Sequence, residues 1–219
     1  MIFYDYFRSS AGYRVRIALN LKNLTVERRP VSLINNANHH PDYVALNPQG
    51  FVPLLIDGDG AEKFQLTQSL AIIEYLDERY PATAAIPPLL PRDLCGRAQA
   101  RALALLLACD VHPLHNKRIL DYLSTPLALT KEQKAEWTNR WISDGLRAFE
   151  AQLALLPVQP YSLGDDPSIA DIFLIPQIAS AQRFSVDLSP YPRCMAINKT
   201  ALLHPAFAAA QPALQSDVF

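Results

Sequence analysis

Cysteine is scarce in this sequence, and its placement excludes several kinds of site. The 219 residues include three cysteines, Cys95, Cys109 and Cys194, which stand far apart and form no Cys-x-x-Cys pair or Cys/His cluster with metal-ligand spacing. We therefore expect no metal site, and we expect structural thiols in a protein of a reducing compartment.

Net charge and long apolar runs are almost absent as well. Twenty basic and 21 acidic residues leave a formal charge of −1, and no basic run carries interleaved aromatic residues, so we expect no nucleic-acid partner. No stretch approaches the roughly 18–20 apolar residues of a membrane span, so no membrane partner is expected. The first residues lack the basic and apolar regions of a secretory signal, and we expect a cytoplasmic protein.

The first 80 residues alternate strand and helix patterns. An aromatic-rich strand over 2–7 precedes a helix whose apolar spacing extends over 13–21. A weaker strand over 25–33 contains a proline, which is typical of a sheet edge, and one helical turn follows. Two more strands flank the hairpin signal at 57–60, and a helix pattern covers 67–80. The predicted order is β-α-β-α-β-β-α.

Prolines then mark a connector between two different kinds of domain. Pro81, Pro87, Pro88 and Pro91 stiffen the chain here. Beyond them we predict helices and no convincing strand, with an Ala-rich helical tail. The predicted organisation is a small α/β domain (1–82), a linker (83–91) and a larger all-helical domain (92–219). The predicted helices cover 92–123, 131–156, 168–183 and about 192–202.

A serine pair stands where the first strand turns into the first helix. Ser9 and Ser10 follow Arg8, and the first N–H groups of such a helix have no partner within it, at the positive end of the helix dipole. This pattern is typical of an anion site for a thiolate, carboxylate or phosphate. The alternative is that the two serines only cap the helix.

Val52-Pro53 stands at the entry of the next predicted strand. A proline here favours a cis peptide in a tight turn, which would expose the N–H and C=O groups of Val52 to an extended peptide ligand. The alternative is an ordinary trans proline that begins a strand.

Gln68 and Ser69 open the last helix of the first domain. Their side chains and the free N–H groups of the helix start could bind a carboxylate. The alternative is that Ser69 serves only as the helix N-cap.

Together these motifs resemble the cytosolic glutathione transferases over essentially the whole chain. Within that family the sequence is similar to the zeta class, which contains maleylacetoacetate and maleylpyruvate isomerases. The resemblance implies a thioredoxin-like N-terminal domain and an all-helical C-terminal domain of the glutathione transferase type. The segments that carry the resemblance are Arg8–Leu19, Asn47–Pro53, Gln68–Leu76, Cys109–Leu114 and Arg183–Pro192.

The resemblance implies that glutathione is the cofactor and that the first domain binds it. Ser9 or Ser10 would donate a hydrogen bond to the glutathione sulfur, and which of them has the main role stays open. The other glutathione-binding residues implied are Val52 and Pro53 for the cysteinyl part, Gln68 and Ser69 for the γ-glutamyl carboxylate, His39 or its neighbour Asn38 for the glycyl end, and Asn116. Ala11 departs from the cysteine or threonine that is common in the class.

The resemblance also implies that Arg8, Arg118 and Arg183 bind the carboxylates and the enolate of a small dicarboxylic diketo acid. Guanidinium groups suit this task because they pair with carboxylates bidentately. Without the resemblance, Arg118 would be interpreted as part of a solvated helix face, and Arg183 as a cation at a helix C-terminus. His115 replaces an asparagine that is frequent in the class.

The implied reaction is the glutathione-dependent cis–trans isomerisation of maleylacetoacetate, by thiolate addition, bond rotation and elimination. Maleylpyruvate is the alternative substrate, and Lys117 beside Arg118 fits it slightly better. A second alternative is a transferase that conjugates electrophiles such as α-haloacids, and a third is a non-catalytic protein with the same fold. The resemblance also implies a homodimer.

Overall fold

The computed structural model describes residues 1–58, 60–83 and 86–217. The chain forms two units, one made of Met1–Leu89 with His204–Phe219 and the other of Leu90–Leu203.

A mixed four-stranded sheet lies in the first unit. Its strands are β1 (Ile2–Asp5), β2 (Glu27–Pro30), β3 (Leu54–Asp57) and β4 (Phe64–Thr67), in the order β2-β1-β3-β4. Strand β1 pairs with β2 in parallel and with β3 antiparallel, and β3 pairs antiparallel with β4. The prediction of an edge strand that contains Pro30 is therefore confirmed. Asp59 of the predicted hairpin turn lies outside the described residues.

Within Met1–Leu89 the described residues form three α-helices: α1 (Ser10–Leu21), α2 (Pro41–Leu46) and α3 (Ser69–Arg79). The apolar spacing that predicted α1 and α3 corresponds to their buried faces, where Ile17, Ala18, Ile73 and Leu76 are fully buried. The order β-α-β-α-β-β-α is confirmed, and it is that of a thioredoxin-like domain.

The second unit is helical. Its long helices are α4 (Leu94–Leu105), α5 (Lys117–Ser124), α6 (Lys131–Ala154), α7 (Ile169–Arg183) and α8 (Pro192–Leu203). The helix predicted over 92–123 is interrupted by a π-helical turn at Leu106–Val111 and a 3₁₀ turn at His112–His115. Pro113 explains the interruption, because it has no N–H to donate to an α-helical ladder.

The C-terminal segment belongs to the first unit, whereas the sequence predicted one helical domain over 92–219. Helix α9 (Pro205–Ala210) packs against α1. The amide of Asn20 donates to the carbonyl oxygen of Ala206 (2.9 Å), and Arg16 Nε donates to that of Ala210 (3.0 Å). The difference arises because these contacts join residues almost 200 positions apart, which local patterns do not reveal.

Candidate active site

The serine turn is built around the N-cap of α1. Ser9 occupies the cap position, and its Oγ accepts a hydrogen bond from the N–H of Gly12 (3.0 Å). This bond uses a lone pair of the oxygen and leaves the hydroxyl proton for another acceptor. Ser10 is the first helical residue and is buried, and Arg8 is exposed just before the cap. The capping role therefore holds for Ser9 and is compatible with an anion-binding role.

Gly12 allows the first turn of α1 to approach the end of β1. A Cβ atom at this position would lie 1.7 Å from Asp5 Oδ1 and 3.3 Å from Ser9 Cβ. Any side chain here would therefore displace either the buried Asp5 carboxylate or the serine turn itself.

The Val52–Pro53 peptide is cis, so the alternative of a trans proline is wrong. Strand β1 pairs with β3 from Ile56 to Leu54, and Val52 lies beyond the end of that pairing. The loop before it is held at the carbonyl oxygen of Phe51, which accepts from the hydroxyl of Tyr43 (2.5 Å) and the amide of Asn47 (2.7 Å). Two hydrogen bonds therefore fix the carbonyl group that immediately precedes Val52.

The structure distinguishes between Asn38 and His39, the two candidates for binding the glycyl end of glutathione. Asn38 is buried, and its amide donates to the carbonyl oxygen of Gly50 (2.7 Å) in the loop before β3. His39 is exposed, and its ring lies against Gly50, where a Cβ atom would be 3.2 Å from His39 Nδ1. Asn38 therefore fixes the loop, and His39 stays the candidate for a ligand contact.

At the start of α3, Gln68 rather than Ser69 occupies the N-cap position, so the interpretation of Ser69 as an N-cap is wrong. Ser69 is the buried first residue of the helix, and its Oγ accepts from Arg14 Nη1 (3.4 Å). Arg14 is 2 % exposed, so its guanidinium places a buried positive charge behind Ser69. Sequence reasoning missed Arg14, although a charged residue at an inward position of an apolar helix is a signal that could have been used.

Gln68 has a backbone conformation that L-residues rarely adopt, with φ 69° and ψ 115°. Its Nε2 donates to Gln49 Oε1 (3.0 Å), so the side chain is oriented across the loop. Strain of this kind persists where the surrounding structure imposes it, and it is frequent at ligand sites.

We expect Gln68→Gly to raise the free energy of unfolding by about 1 kcal/mol, because glycine adopts a positive φ without a steric penalty. The resemblance assigns the Gln68 amide to the γ-glutamyl carboxylate of glutathione, so its removal should also weaken glutathione binding by about tenfold. Urea unfolding and calorimetry measure the two effects. The control is Gln68→Ala, which removes the amide but keeps the strain. Glycine and alanine variants of equal stability would contradict the assignment of strain.

In the second unit, Asn116 and Arg118 lie at the start of α5. Asn116 is the N-cap, and its Oδ1 accepts from the backbone N–H of Arg118 (3.2 Å). The side chain of Arg118 is exposed. Neighbouring Lys117 forms an ion pair with Asp121 one turn later (2.6 Å). Asn116 thus orients the first turn of the helix that carries Arg118.

Arg183 lies in the last turn of α7. This position also agrees with the alternative that Arg183 is only a cation at the negative end of the helix dipole. Its guanidinium lies 4.9 Å from the centre of the Phe184 ring, and that ring lies 5.8 Å from His115. His115 is buried, with Nε2 3.2 Å from Oε1 of Gln177. The structure therefore brings the 3₁₀ turn before α5 and the end of α7 together through His115 and Phe184. The sequence motifs did not predict a role in the site for either Phe184 or Gln177.

Cysteine thiols and possible metal ligands add little further chemistry in the part of the chain that the structure describes. Cys95 and Cys109 are exposed, and burial together with nearby Glu150 raises the pKa of the Cys194 thiol far above its usual range. Within the described ranges, His, Cys, Asp and Glu side chains do not gather in groups of three or more that could hold a metal ion. The helices described there also lack the combination of length and apolar composition that crossing a membrane requires.

Comparison with known proteins agrees with this geometry. Residues 3–84 match the family model of the glutathione S-transferase N-terminal domain, and residues 133–196 match that of the C-terminal domain. The maleylacetoacetate isomerase of Pseudomonas aeruginosa is 45% identical, over 99% of this chain and 98% of that protein.

Two solved structures are similar over their whole length. The holo structure of a maleylpyruvate isomerase, a bacterial zeta-class glutathione S-transferase, has a TM-score of 0.93 at 44% identity, covering 100% of both chains. A maleylacetoacetate isomerase from Methylobacterium extorquens AM1, with bound malonate and glutathione, has a TM-score of 0.92 at 38% identity, also covering 100% of both. The chain therefore belongs to the glutathione S-transferase family and, within it, to the zeta class.

Proposed function

We propose that this protein is a glutathione-dependent cis–trans isomerase that converts maleylacetoacetate to fumarylacetoacetate in the catabolism of aromatic amino acids. The observation that carries the proposal is the serine turn, in which Ser9 caps α1 with an oxygen lone pair and keeps a hydroxyl proton for an anion. The isomerase relatives, which match this chain over nearly its full length, support a cis–trans isomerisation, and the Pseudomonas aeruginosa enzyme supports this substrate.

The hydrogen-bond donors of the first unit fit the chemical groups of glutathione. A carboxylate suits the start of α3, where the helix N-terminus, Ser69 and the buried guanidinium of Arg14 supply positive charge and hydrogen-bond donors. We assign the γ-glutamyl carboxylate to Gln68 and Ser69, the cysteinyl backbone to Val52 beside Pro53, and the glycyl end to His39. The family resemblance adds Asn116 to the glutathione-binding residues.

When bound, glutathione supplies a thiolate that adds to the cis double bond of the substrate and leaves again after rotation about the resulting single bond. Ser9 or Ser10 donates a hydrogen bond to the anionic sulfur, and the positive end of α1 favours the same anion. Arg8, Arg118 and Arg183 bind substrate carboxylates and stabilise the negative charge that develops next to the reacting carbon.

Maleylpyruvate is the second candidate substrate, and the similarity to the maleylpyruvate isomerase structure supports it. Lys117 is the residue that favours maleylpyruvate, and in the structure it is paired with Asp121. This pairing weakens the support for maleylpyruvate. We therefore propose maleylacetoacetate first.

The experiment compares kcat/KM for maleylacetone, a stable analogue of maleylacetoacetate, with that for maleylpyruvate, by ultraviolet absorbance and with glutathione present. A higher value for maleylacetone supports the proposed substrate, and a higher value for maleylpyruvate replaces it. A parallel assay with an α-haloacid tests conjugation. Haloacid-dependent loss of thiol without any isomerisation would make the protein a conjugating transferase.

We also propose that the protein is a cytoplasmic homodimer, as is typical of the family. Sedimentation equilibrium should then give twice the chain mass of 24.4 kDa. A species of single chain mass at assay concentration would contradict the dimer.

A further inference from the structure

The backbone that enters the serine turn is held on both sides by distant side chains. The N–H of Phe7 donates to Oδ2 of Asp217 (2.9 Å), and the carbonyl oxygen of Phe7 accepts from Nη2 of Arg16 (3.0 Å). Phe7 precedes the N-cap Ser9 by only two residues. The orientation of the Phe7 peptide groups therefore sets the direction in which the chain enters the turn.

Asp217 is part of a buried network of two carboxylates and two guanidinium groups. Its Oδ1 lies 2.8 Å from Nη2 of Arg28, which also lies 3.0 Å from Oδ2 of Asp5. Arg16 Nη1 contacts the same Asp5 oxygen (2.5 Å). Complete burial raises the pKa of the Asp5 carboxyl group, and Arg16 and Arg28 oppose that shift. Opposite charges alternate through the network, so each buried charge has a partner.

The C-terminal segment brings Asp217 to this position. Helix α9 lies along α1, where Asn20 and Arg16 hold the carbonyl oxygens of Ala206 and Ala210. Asp217 follows seven residues after Ala210 and is 6 % exposed. A carboxylate more than 200 positions away in the chain thus accepts a hydrogen bond from the backbone that enters the serine turn.

We propose that Asp217 is a positioning residue for glutathione binding, through its hydrogen bond to the N–H of Phe7. The proposal rests on the proposed function, because it concerns the turn that carries Ser9 and Ser10. Removal of the carboxylate would leave the Phe7 N–H without its acceptor and Arg28 without one of its two partners. The turn would then sample other orientations, and the serine hydroxyls would be less well placed for the sulfur.

The test compares Asp217→Ala with Asn20→Ala. Both variants remove a side-chain hydrogen bond that connects the C-terminal segment to the rest of its unit, but Asn20 does not contact Phe7. Asp217→Ala also removes the ion pair with Arg28, an effect that the Asp217→Asn variant below isolates. Two quantities are measured: the exchange rate of the Phe7 amide proton by NMR in ligand-free protein, and the Kd for glutathione by calorimetry.

We expect Asp217→Ala to accelerate exchange of the Phe7 amide and to raise the glutathione Kd, each by about tenfold. Asn20→Ala should stay within about twofold of the unchanged protein in both. Equal glutathione affinity in Asp217→Ala and the unchanged protein would overturn the proposal. Equal weakening by both substitutions would also overturn it, because the segment would then contribute only stability.

A second variant keeps the test decisive if Asp217→Ala does not fold. Asp217→Asn retains an oxygen acceptor for the Phe7 N–H and removes the charge, so we expect Kd within about threefold of the unchanged protein. A Kd raised tenfold or more, which corresponds to about 1.4 kcal/mol, would show that the charge of Asp217 and not its hydrogen bond to Phe7 causes the effect. That result would contradict the proposal.

The two hypotheses fail in different ways. If the unchanged protein binds no glutathione, the proposed function fails, and the Phe7 amide exchange alone decides whether Asp217 holds the turn. If the unchanged protein binds glutathione and Asp217→Ala binds it equally well, only the positioning role fails.

Discussion

Replacement of both Ser9 and Ser10 by alanine is expected to lower kcat/KM for glutathione-dependent isomerisation by at least about 100-fold. Each hydroxyl can donate a hydrogen bond to an anionic sulfur, and donors to a developing or fixed anion are among the largest single contributions to catalysis. The assay is the initial rate of maleylacetone isomerisation. The single variants then assign the main donor, because the structure gives Ser9 a second role as N-cap and buries Ser10.

The pH dependence of the double variant should change in a defined direction. Hydrogen bonds to a thiolate stabilise the charged form, so their loss raises the pKa of bound glutathione towards the free-thiol value of about 8.5. The rising limb of kcat/KM against pH should therefore move to higher pH in the double variant.

Loss of a helix cap also destabilises a protein, and this effect needs a control. Thr130→Ala removes the N-cap of α6, whose Oγ1 accepts from the N–H of Gln133 (3.3 Å). We expect it to cost about 1 kcal/mol of stability with little change in kcat/KM. A double variant of Ser9 and Ser10 that keeps the activity of Thr130→Ala would contradict the thiolate assignment.

Asp171→Ala is expected to lower the free energy of unfolding by about 3–5 kcal/mol. The carboxylate is fully buried and accepts from the N–H of Ser162 (2.8 Å), the N–H of Ser168 (2.8 Å) and the hydroxyl of Ser168 (3.1 Å). Burial raises the pKa of Asp171, and the hydrogen bonds from Ser168 and Ser162 oppose this shift. Removal of the acceptor leaves buried donors without partners at the start of α7, a helix that is almost entirely buried.

Ser168 and Asp171 form a capping box at the start of α7, and the capping box of α6 in the same chain is the matched control. Gln133 completes the capping box of α6 at an exposed position, where its Oε1 accepts from the N–H of Thr130 (2.9 Å). Water can replace this bond, so Gln133→Ala should cost about 1 kcal/mol or less. Urea unfolding of the two variants gives both values. Equal destabilisation would show that burial does not set the cost at Asp171.

The strands and helices of residues 1–80 could be predicted from the sequence because their signals are local. Alternating strand and helix patterns, Pro30 at a sheet edge and Pro53 after Val52 each depend on neighbouring residues, and each has its counterpart in the structure. The break at Pro113 was missed because the apolar pattern continues on both sides of it, so composition alone favoured one long helix.

The parts that the sequence did not predict depend on contacts between distant residues. Arg14 is separated from Ser69 by 55 positions, and Asp217 from Phe7 by 210. Neither pair leaves a periodic signal. The N-cap role of Ser9 could be predicted, but the residue that caps α3 could not, because Gln68 reaches that position through a positive φ that few glutamines adopt.

The most direct measurement supplies much less glutathione than maleylacetone and follows both isomerisation and free thiol with time. We predict many turnovers for each glutathione molecule, no net loss of thiol and no comparable rate without glutathione, because an isomerase regenerates its cofactor. Consumption of one thiol for each substrate molecule, or an equal rate without glutathione, would contradict the proposed function.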